Sequence, residues 1–157
     1  MKLNIGISEK DLNRSVTLLS TVLANEMTLY IKTRKSHWNV SGESFMELHK
    51  LFESQYTQLE ESIDEIAERI GKLGQKTIGT MQEFSTLSTL KESPGKYASS
   101  RDMIKELLTD HEAVIIQLRT DIDVCAEKNN DAGSADFLTG LLEQHETTAW
   151  ILRRYLN

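Results

Sequence analysis

The sequence predicts an all-α fold, a four-helix bundle with one long crossover connection. Four segments carry apolar residues at helical spacing, three or four residues apart. The chain has a single proline, and four of its eight glycines fall with it between the second and third segments. At 157 residues the chain can bury one sizeable core, so we expect a single domain over residues 1–157.

Each of the four predicted helices begins near a residue that can cap a helix N-terminus. The candidate caps are Ser8 with Asp11, Ser44 with Glu47, Ser99 with Asp102, and Ser134 with Asp136. The apolar periodicity then runs from Leu12 to Tyr30, from Phe45 to Ile70, from Met103 to Cys125 and from Phe137 to Tyr155. These spans predict four long helices, each with one apolar face for a shared core.

The connection between the second and third helices is longer than antiparallel neighbours need. A helix of about 28 residues is about 42 Å long, and an extended chain covers about 3.3 Å per residue. The segment from Gly74 to Ser99 can therefore run back along the bundle. We expect the ferritin-like topology with one long crossover, and a short helix within the crossover at MQEFSTLS.

Composition and charge exclude several classes of protein. The chain has 18 basic and 24 acidic residues, a net charge of −6, which argues against a protein that mainly neutralises phosphates. Cys125 is the single cysteine and cannot form an internal disulfide, and no apolar run approaches the roughly 20 residues that span a bilayer. The segment MKLNIGISEKDL lacks the apolar stretch of a signal peptide. We expect a soluble, cytoplasmic protein with no membrane partner.

Ligand-type side chains occupy one flank of the second predicted helix. Counted at about 100° per residue from Leu59, the apolar residues fall between about −20° and +60°, and four ligand-type residues between about 80° and 180°. His49 and Glu53 form the histidine cluster, and Asp64 and Glu68 form the acidic cluster. Fifteen residues, or about 22 Å of helix, separate His49 from Asp64, so one ion cannot contact both clusters of one chain.

A symmetric dimer would bring the two clusters together. If a twofold axis crosses the helix near Gln58, the histidine cluster of one chain faces the acidic cluster of its partner, and the reverse contact follows by symmetry. His37 can join from the end of the first helix, because the loop from Asn39 to Gly42 is short. Two imidazoles with two or three carboxylates suit iron or another first-row divalent metal better than calcium.

The same residues also allow an interpretation without metal. Asp64 and Glu68 belong to EESIDEIAE, in which five of nine residues are acidic, and such a run is usually a solvated helix face. His49 alone could bond to a neighbour, and His111 and His145 fall on core-facing positions, where we interpret them as core or interface residues. A metal-free helical structural module therefore stays open. It predicts that His49→Ala and Asp64→Ala leave every activity unchanged.

The segment SHWNVSGESFMELHKLFESQYTQLEESIDEIAERIGKLG, residues 36–74, resembles the Dps family, mini-ferritins named as DNA-binding proteins from starved cells. The residues that carry the resemblance are the His37-Trp38 pair, His49 twelve residues after His37, Asp64 fifteen further on, and Glu68 four beyond. The segment SADFLTGLLEQHETTAWILRRYL also resembles the last helix of the family. The similarity covers most of the chain and leaves the crossover least matched.

The resemblance implies a hollow homododecamer with ferroxidase sites at its twofold interfaces. In such proteins Fe(II) is oxidised, by hydrogen peroxide in preference to oxygen, and the ferric product is stored inside as a mineral. The residues carried over by position are His37, His49 and Glu53 of one chain as ligands, Asp64 and Glu68 of the other chain as ligands, and Trp38 as a redox-active ring beside the site. The family more often has Asp at the position of Glu53.

The resemblance also implies acidic pores at threefold axes. Asp131 and Asp136 match pore residues of the family, and Gly140 stands where the family has a third acidic residue.

The sequence also bears on two alternatives, a larger ferritin and a DNA-binding protein. The larger ferritins build their metal centre within each subunit from Glu-x-x-His motifs, which this chain lacks. Some relatives condense DNA through a lysine-rich tail, whereas the first eight residues here carry one lysine. Nucleoid DNA binding is thus the alternative function, and we do not expect it at physiological salt.

Overall fold

The computed structural model describes residues 3–157, and these residues form the all-α fold predicted from the sequence. The helices are α1 (Glu9–Asn39), α2 (Phe45–Lys72), α3 (Met81–Leu87), α4 (Ser100–Asp123) and α5 (Ala132–Arg154). A π-helical turn, Val124–Lys128, continues α4. No β-strand occurs within residues 3–157, and no helix in this range is long and apolar enough to cross a membrane.

The bundle is built from two helix pairs. Helix α1 packs chiefly against α2, helix α4 chiefly against α5, and the pairs meet mainly through α1 and α4. The buried apolar side chains form two clusters, one towards each end of the bundle. The first includes Leu19, Leu23, Ile66, Leu118 and Leu138, and the second includes Leu29, Phe52, Leu107 and Leu152. Burial of one large apolar side chain contributes about 1.5–3 kcal/mol, so these clusters supply most of the stability.

The crossover runs along α1, as its length predicts. Polar side chains on one face of α1, spaced three or four residues apart, hold it there. The contacts are Asn25 Oδ1 with Thr89 N (2.8 Å), Thr28 Oγ1 with Ser88 Oγ (2.8 Å), Lys32 Nζ with the Lys91 carbonyl (2.7 Å) and Lys35 Nζ with the Ser93 carbonyl (2.8 Å). The expected short helix is α3, which begins at a capping box formed by Thr80 and Glu83.

Two of the four predicted helix caps are confirmed. Ser8 and Ser99 each accept a hydrogen bond from the backbone N–H three residues later. Ser44 occupies the cap position of α2, but its side chain makes no capping bond. The prediction for the last helix was wrong, because Asp131 caps α5 by accepting a hydrogen bond from the N–H of Ser134.

Candidate functional site

Two histidines predicted as ligands lie face to face beside the loop that joins α1 to α2. The ring centroids of His37 and His49 are 3.7 Å apart, and the ring planes differ by 19°. The chain between them turns sharply at Gly42, whose φ of +102° lies in the region that favours glycine. The Nδ1 atom of His37 is 2.7 Å from the carbonyl oxygen of His49, and the Nδ1 of His49 is 2.9 Å from the carbonyl oxygen of His37.

This reciprocal bonding fixes where each imidazole carries its proton. A carbonyl oxygen only accepts hydrogen bonds, so both Nδ1 atoms must donate. In the neutral rings the lone pair is then on Nε2, the remaining atom that can bind a metal. Metal-binding histidines commonly donate their other ring N–H to a carbonyl or carboxylate, which fixes tautomer and orientation. In both His37 and His49, Nε2 is therefore the ring nitrogen that could bind a metal.

The carboxylates of the same chain lie elsewhere on α2. Glu53, Asp64 and Glu68 are all exposed, and Glu68 Oε2 is 3.3 Å from the Nζ of Lys72. Because α2 runs unbroken from Phe45 to Lys72, the acidic cluster stays about four turns from the histidine cluster. Within residues 3–157 of one chain, no three His, Cys, Asp or Glu side chains come together in a way that could hold a metal ion. A complete site would need groups from a second chain.

Aromatic rings and one cation surround the histidine pair. Tyr56 meets His37 edge-on with ring centroids 5.2 Å apart, and Phe45 lies 5.1 Å from the ring of His49. The guanidinium of Arg34 stacks on Tyr56 at 4.3 Å and lies 6.0 Å from the ring of Trp38. Apart from the two histidines, only Trp38 among these residues was predicted to lie at the site. The available signal was the spacing of Arg34 and Trp38, one turn apart on the same face of α1.

Large apolar side chains remain exposed beside the histidine pair. Trp38 is 63% exposed, Met46 is 57% exposed and Phe45 is 38% exposed. Large apolar side chains exposed near one another commonly mark contact with another chain. The three side chains lie at the histidine end of α2, where the predicted twofold dimer would place a partner chain.

The two candidate pore residues differ in environment. Asp136 is exposed, whereas Asp131 is 1% exposed, and its Oδ1 accepts hydrogen bonds from Arg69 Nη2 and from the N–H of Ser134, both at 3.0 Å. Burial alone would raise the pKa of Asp131, but hydrogen bonds from Ser134 and Ser15 and the charge of Arg69 bring it below its ordinary value. Asp131 therefore serves as a buried cap and ion-pair partner, and of the two only Asp136 is available to line a pore.

Comparisons with known proteins agree on one family. A family model described as a ferritin-like domain matches residues 16–157. The chain is 43% identical to an uncharacterized low temperature-induced protein of a Nostoc species, over 99% of this chain and 87% of the relative. It is 34% identical to DNA protection during starvation protein 2 of Bacillus anthracis, over 90% of this chain and 96% of the relative. The crystal structure of the Dps protein from Vibrio cholerae matches with a TM-score of 0.92 and 28% identity, over 100% of this chain and 98% of that one.

Proposed function

The chain belongs to the Dps family of ferritin-like proteins, and from that premise we propose that it is a ferroxidase that stores the ferric product in a hollow homododecamer. The family supports iron storage and protection from oxidative damage as the general role. The observation that carries the finer proposal is the histidine pair, whose Nδ1 atoms are both engaged by carbonyl oxygens. Two Nε2 lone pairs beside exposed apolar side chains suit a metal site completed by another chain.

The proposed site draws on both chains of a twofold dimer. His37, His49 and Glu53 of one chain would bind Fe(II) together with Asp64 and Glu68 of the partner chain. Two observations support this division: the clusters lie far apart on one continuous helix, and the apolar surface beside the histidine pair is exposed. Each dimer would then hold two identical sites, with Fe(II) as the substrate.

The ligand set favours loss of an electron from bound Fe(II). Carboxylates stabilise the harder Fe(III) ion, and five protein groups spread over two chains leave room for an oxidant. Hydrogen peroxide, the preferred oxidant in this proposal over oxygen, takes one electron from each of two Fe(II) ions and two protons to give two water molecules. No hydroxyl radical is released by that stoichiometry. In this proposal Trp38 would supply a redox-active ring beside the site, and Asp136 is the proposed acid at the entry pore.

The test is a peroxide titration of the purified protein loaded with Fe(II) without oxygen. We expect ferric absorbance to develop much faster than in buffer and to saturate at about one peroxide per two Fe(II), as a two-electron oxidant requires. Iron should then co-elute on a sizing column with a particle of about twelve chains. Oxidation no faster than in buffer, or a small particle without iron, would leave the metal-free helical module as the better interpretation.

A further inference from the structure

A polar layer crosses the middle of the bundle between its two apolar clusters. It contains Glu26 of α1, His111 of α4 and His145 of α5, which are 0%, 2% and 2% exposed. Each of these residues interrupts an otherwise apolar face, with members of the two clusters on either side. Buried polar groups destabilise a core unless they interact with one another, so their contacts determine what the layer does.

The three side chains form a continuous chain of contacts across three helices. His145 Nε2 lies 2.8 Å from Glu26 Oε1, and His145 Nδ1 lies 2.8 Å from His111 Nδ1. The small cavity beside His111 and His145 is otherwise lined by uncharged side chains: Gln55, Gln58, Leu59, Ser62, Gln144 and Thr148. Asp110, next to His111, pairs instead with Lys32 of α1 at 2.6 Å, so neither of these charges is free to neutralise the layer.

The contacts limit how many protons the layer can hold. Two Nδ1 atoms at 2.8 Å share one proton, because two N–H groups cannot point at each other. The buried layer has no net charge when Glu26 is ionised and the two imidazoles together carry one extra proton. Burial and the charge of His145 hold the pKa of His111 well below its ordinary value, in agreement with a single extra proton on the pair.

We propose that Glu26, His145 and His111 form an acid-sensitive lock that joins α1, α5 and α4 and opens as the solution is acidified. A second extra proton would give two adjacent imidazolium rings with opposed N–H groups, or would neutralise Glu26 and leave a buried cation without its partner. Either change breaks a contact that joins α5 to a neighbouring helix. The lock depends on these three side chains and not on the proposed iron chemistry.

The direction and size of the effect follow from the proton count. A loosened bundle exposes both imidazoles to water, and a histidine in water takes up a proton at about pH 6.5. Well below that pH the loosened form would hold two extra protons, whereas the neutral closed layer has room for one. The equilibrium constant for opening therefore rises by roughly tenfold in total between pH 6.5 and pH 5, with a slope that approaches tenfold per pH unit at still lower pH, and the closed form is lost as the pH falls.

Hydrogen–deuterium exchange with mass spectrometry on the intact oligomer, between pH 7 and pH 5, tests the lock. After correction for the intrinsic exchange rate, peptides that contain Glu26, His111 or His145 should exchange roughly tenfold faster at pH 5 than at pH 6.5. His111→Asn keeps an acceptor for His145 but removes one titrating group, so its exchange should not accelerate. Peptides whose exchange is the same in this variant and the wild type at every pH would overturn the proposal.

A second variant, Glu26→Gln, should make the pH dependence of opening steeper, whereas His111→Asn removes it. Glu26→Gln removes the carboxylate, so the closed lock no longer needs an extra proton while the loosened form still takes two. Opening should then rise by about a few hundredfold in total between pH 6.5 and pH 5. His37→Gln/His49→Gln removes two histidines outside the layer and is the matched control, which should keep the pH dependence of the wild type. A Glu26→Gln dependence no steeper than that of the wild type would contradict the lock.

Discussion

Mixed oligomers of His49→Ala and Asp64→Ala chains are expected to recover Fe(II) oxidation that neither variant shows alone. Each single variant removes a proposed ligand from every site, so we expect the rate of either homo-oligomer to fall by about 100-fold or more. In a mixed dimer the intact His49 of one chain faces the intact Asp64 of the other at one site. The second site of that dimer lacks both residues.

Symmetry fixes the size of the recovery. With random assembly of equal amounts, about half of the dimers are mixed and each has one intact site, so about a quarter of all sites should return. The measurement is the initial rate of peroxide-driven Fe(II) oxidation after the two variants are unfolded together and reassembled. Separately reassembled variants, combined afterwards, provide the baseline.

A second pair of variants separates shared sites from general effects of mixing. His37→Ala and His49→Ala damage the same side of the site, so every site in their mixed oligomers lacks one imidazole. These hybrids should recover no activity. If they recover as much as the first pair, the ligands are not divided between chains as proposed. If neither pair recovers although the oligomers form, the site does not combine the histidine and acidic clusters of two chains.

The sequence predicted the helices well because their signals are local. The spacing of apolar residues, three or four apart, predicted the four long helices. The length of the connection predicted the crossover that lies along α1. The cap of α5 was missed because the position of Asp131 depends on its contact with Arg69 of α2, which is distant in sequence. Its neighbour Asn130, at φ 51°, sets the turn that brings Asp131 to the start of the helix.

The candidate site was predictable in composition but not in detail. The spacing of His37 and His49 across a short loop indicated that both belong to one cluster. The bonds from each Nδ1 to the opposite backbone carbonyl depend on the exact path of that loop, which residue types do not encode. Glu26 was missed altogether, because a single acidic residue on an apolar helix face has no spacing signature until its partner His145 is seen.

Replacement of Arg69 by alanine is expected to destabilise the fold by about 3–5 kcal/mol, because it leaves a buried carboxylate without its cation. Arg69 Nη2 lies 3.0 Å from Asp131 Oδ1, and Arg69 Nε donates to Ser134 Oγ at 3.0 Å. A methyl group on Gly133 would lie 2.8 Å from Nη2 of this guanidinium, so glycine leaves the space that the ion pair occupies. The measurement is denaturant unfolding at fixed chain concentration near pH 7.

The control is Lys72→Ala on the same helix, whose ion pair with Glu68 is exposed and should contribute less than about 1 kcal/mol. Arg69→Ala combined with Asp131→Asn should recover part of the lost stability, because the buried charge is then absent.

The pKa of Asp131 is lowered in the folded chain, so its stabilising effect is present above its ordinary pKa of about 3.9 and is lost as the pH falls through the lowered value. The difference in the free energy of unfolding between the wild type and Arg69→Ala should therefore become smaller in acid. If Arg69→Ala and Lys72→Ala lose equal amounts of stability, Asp131 does not depend on Arg69.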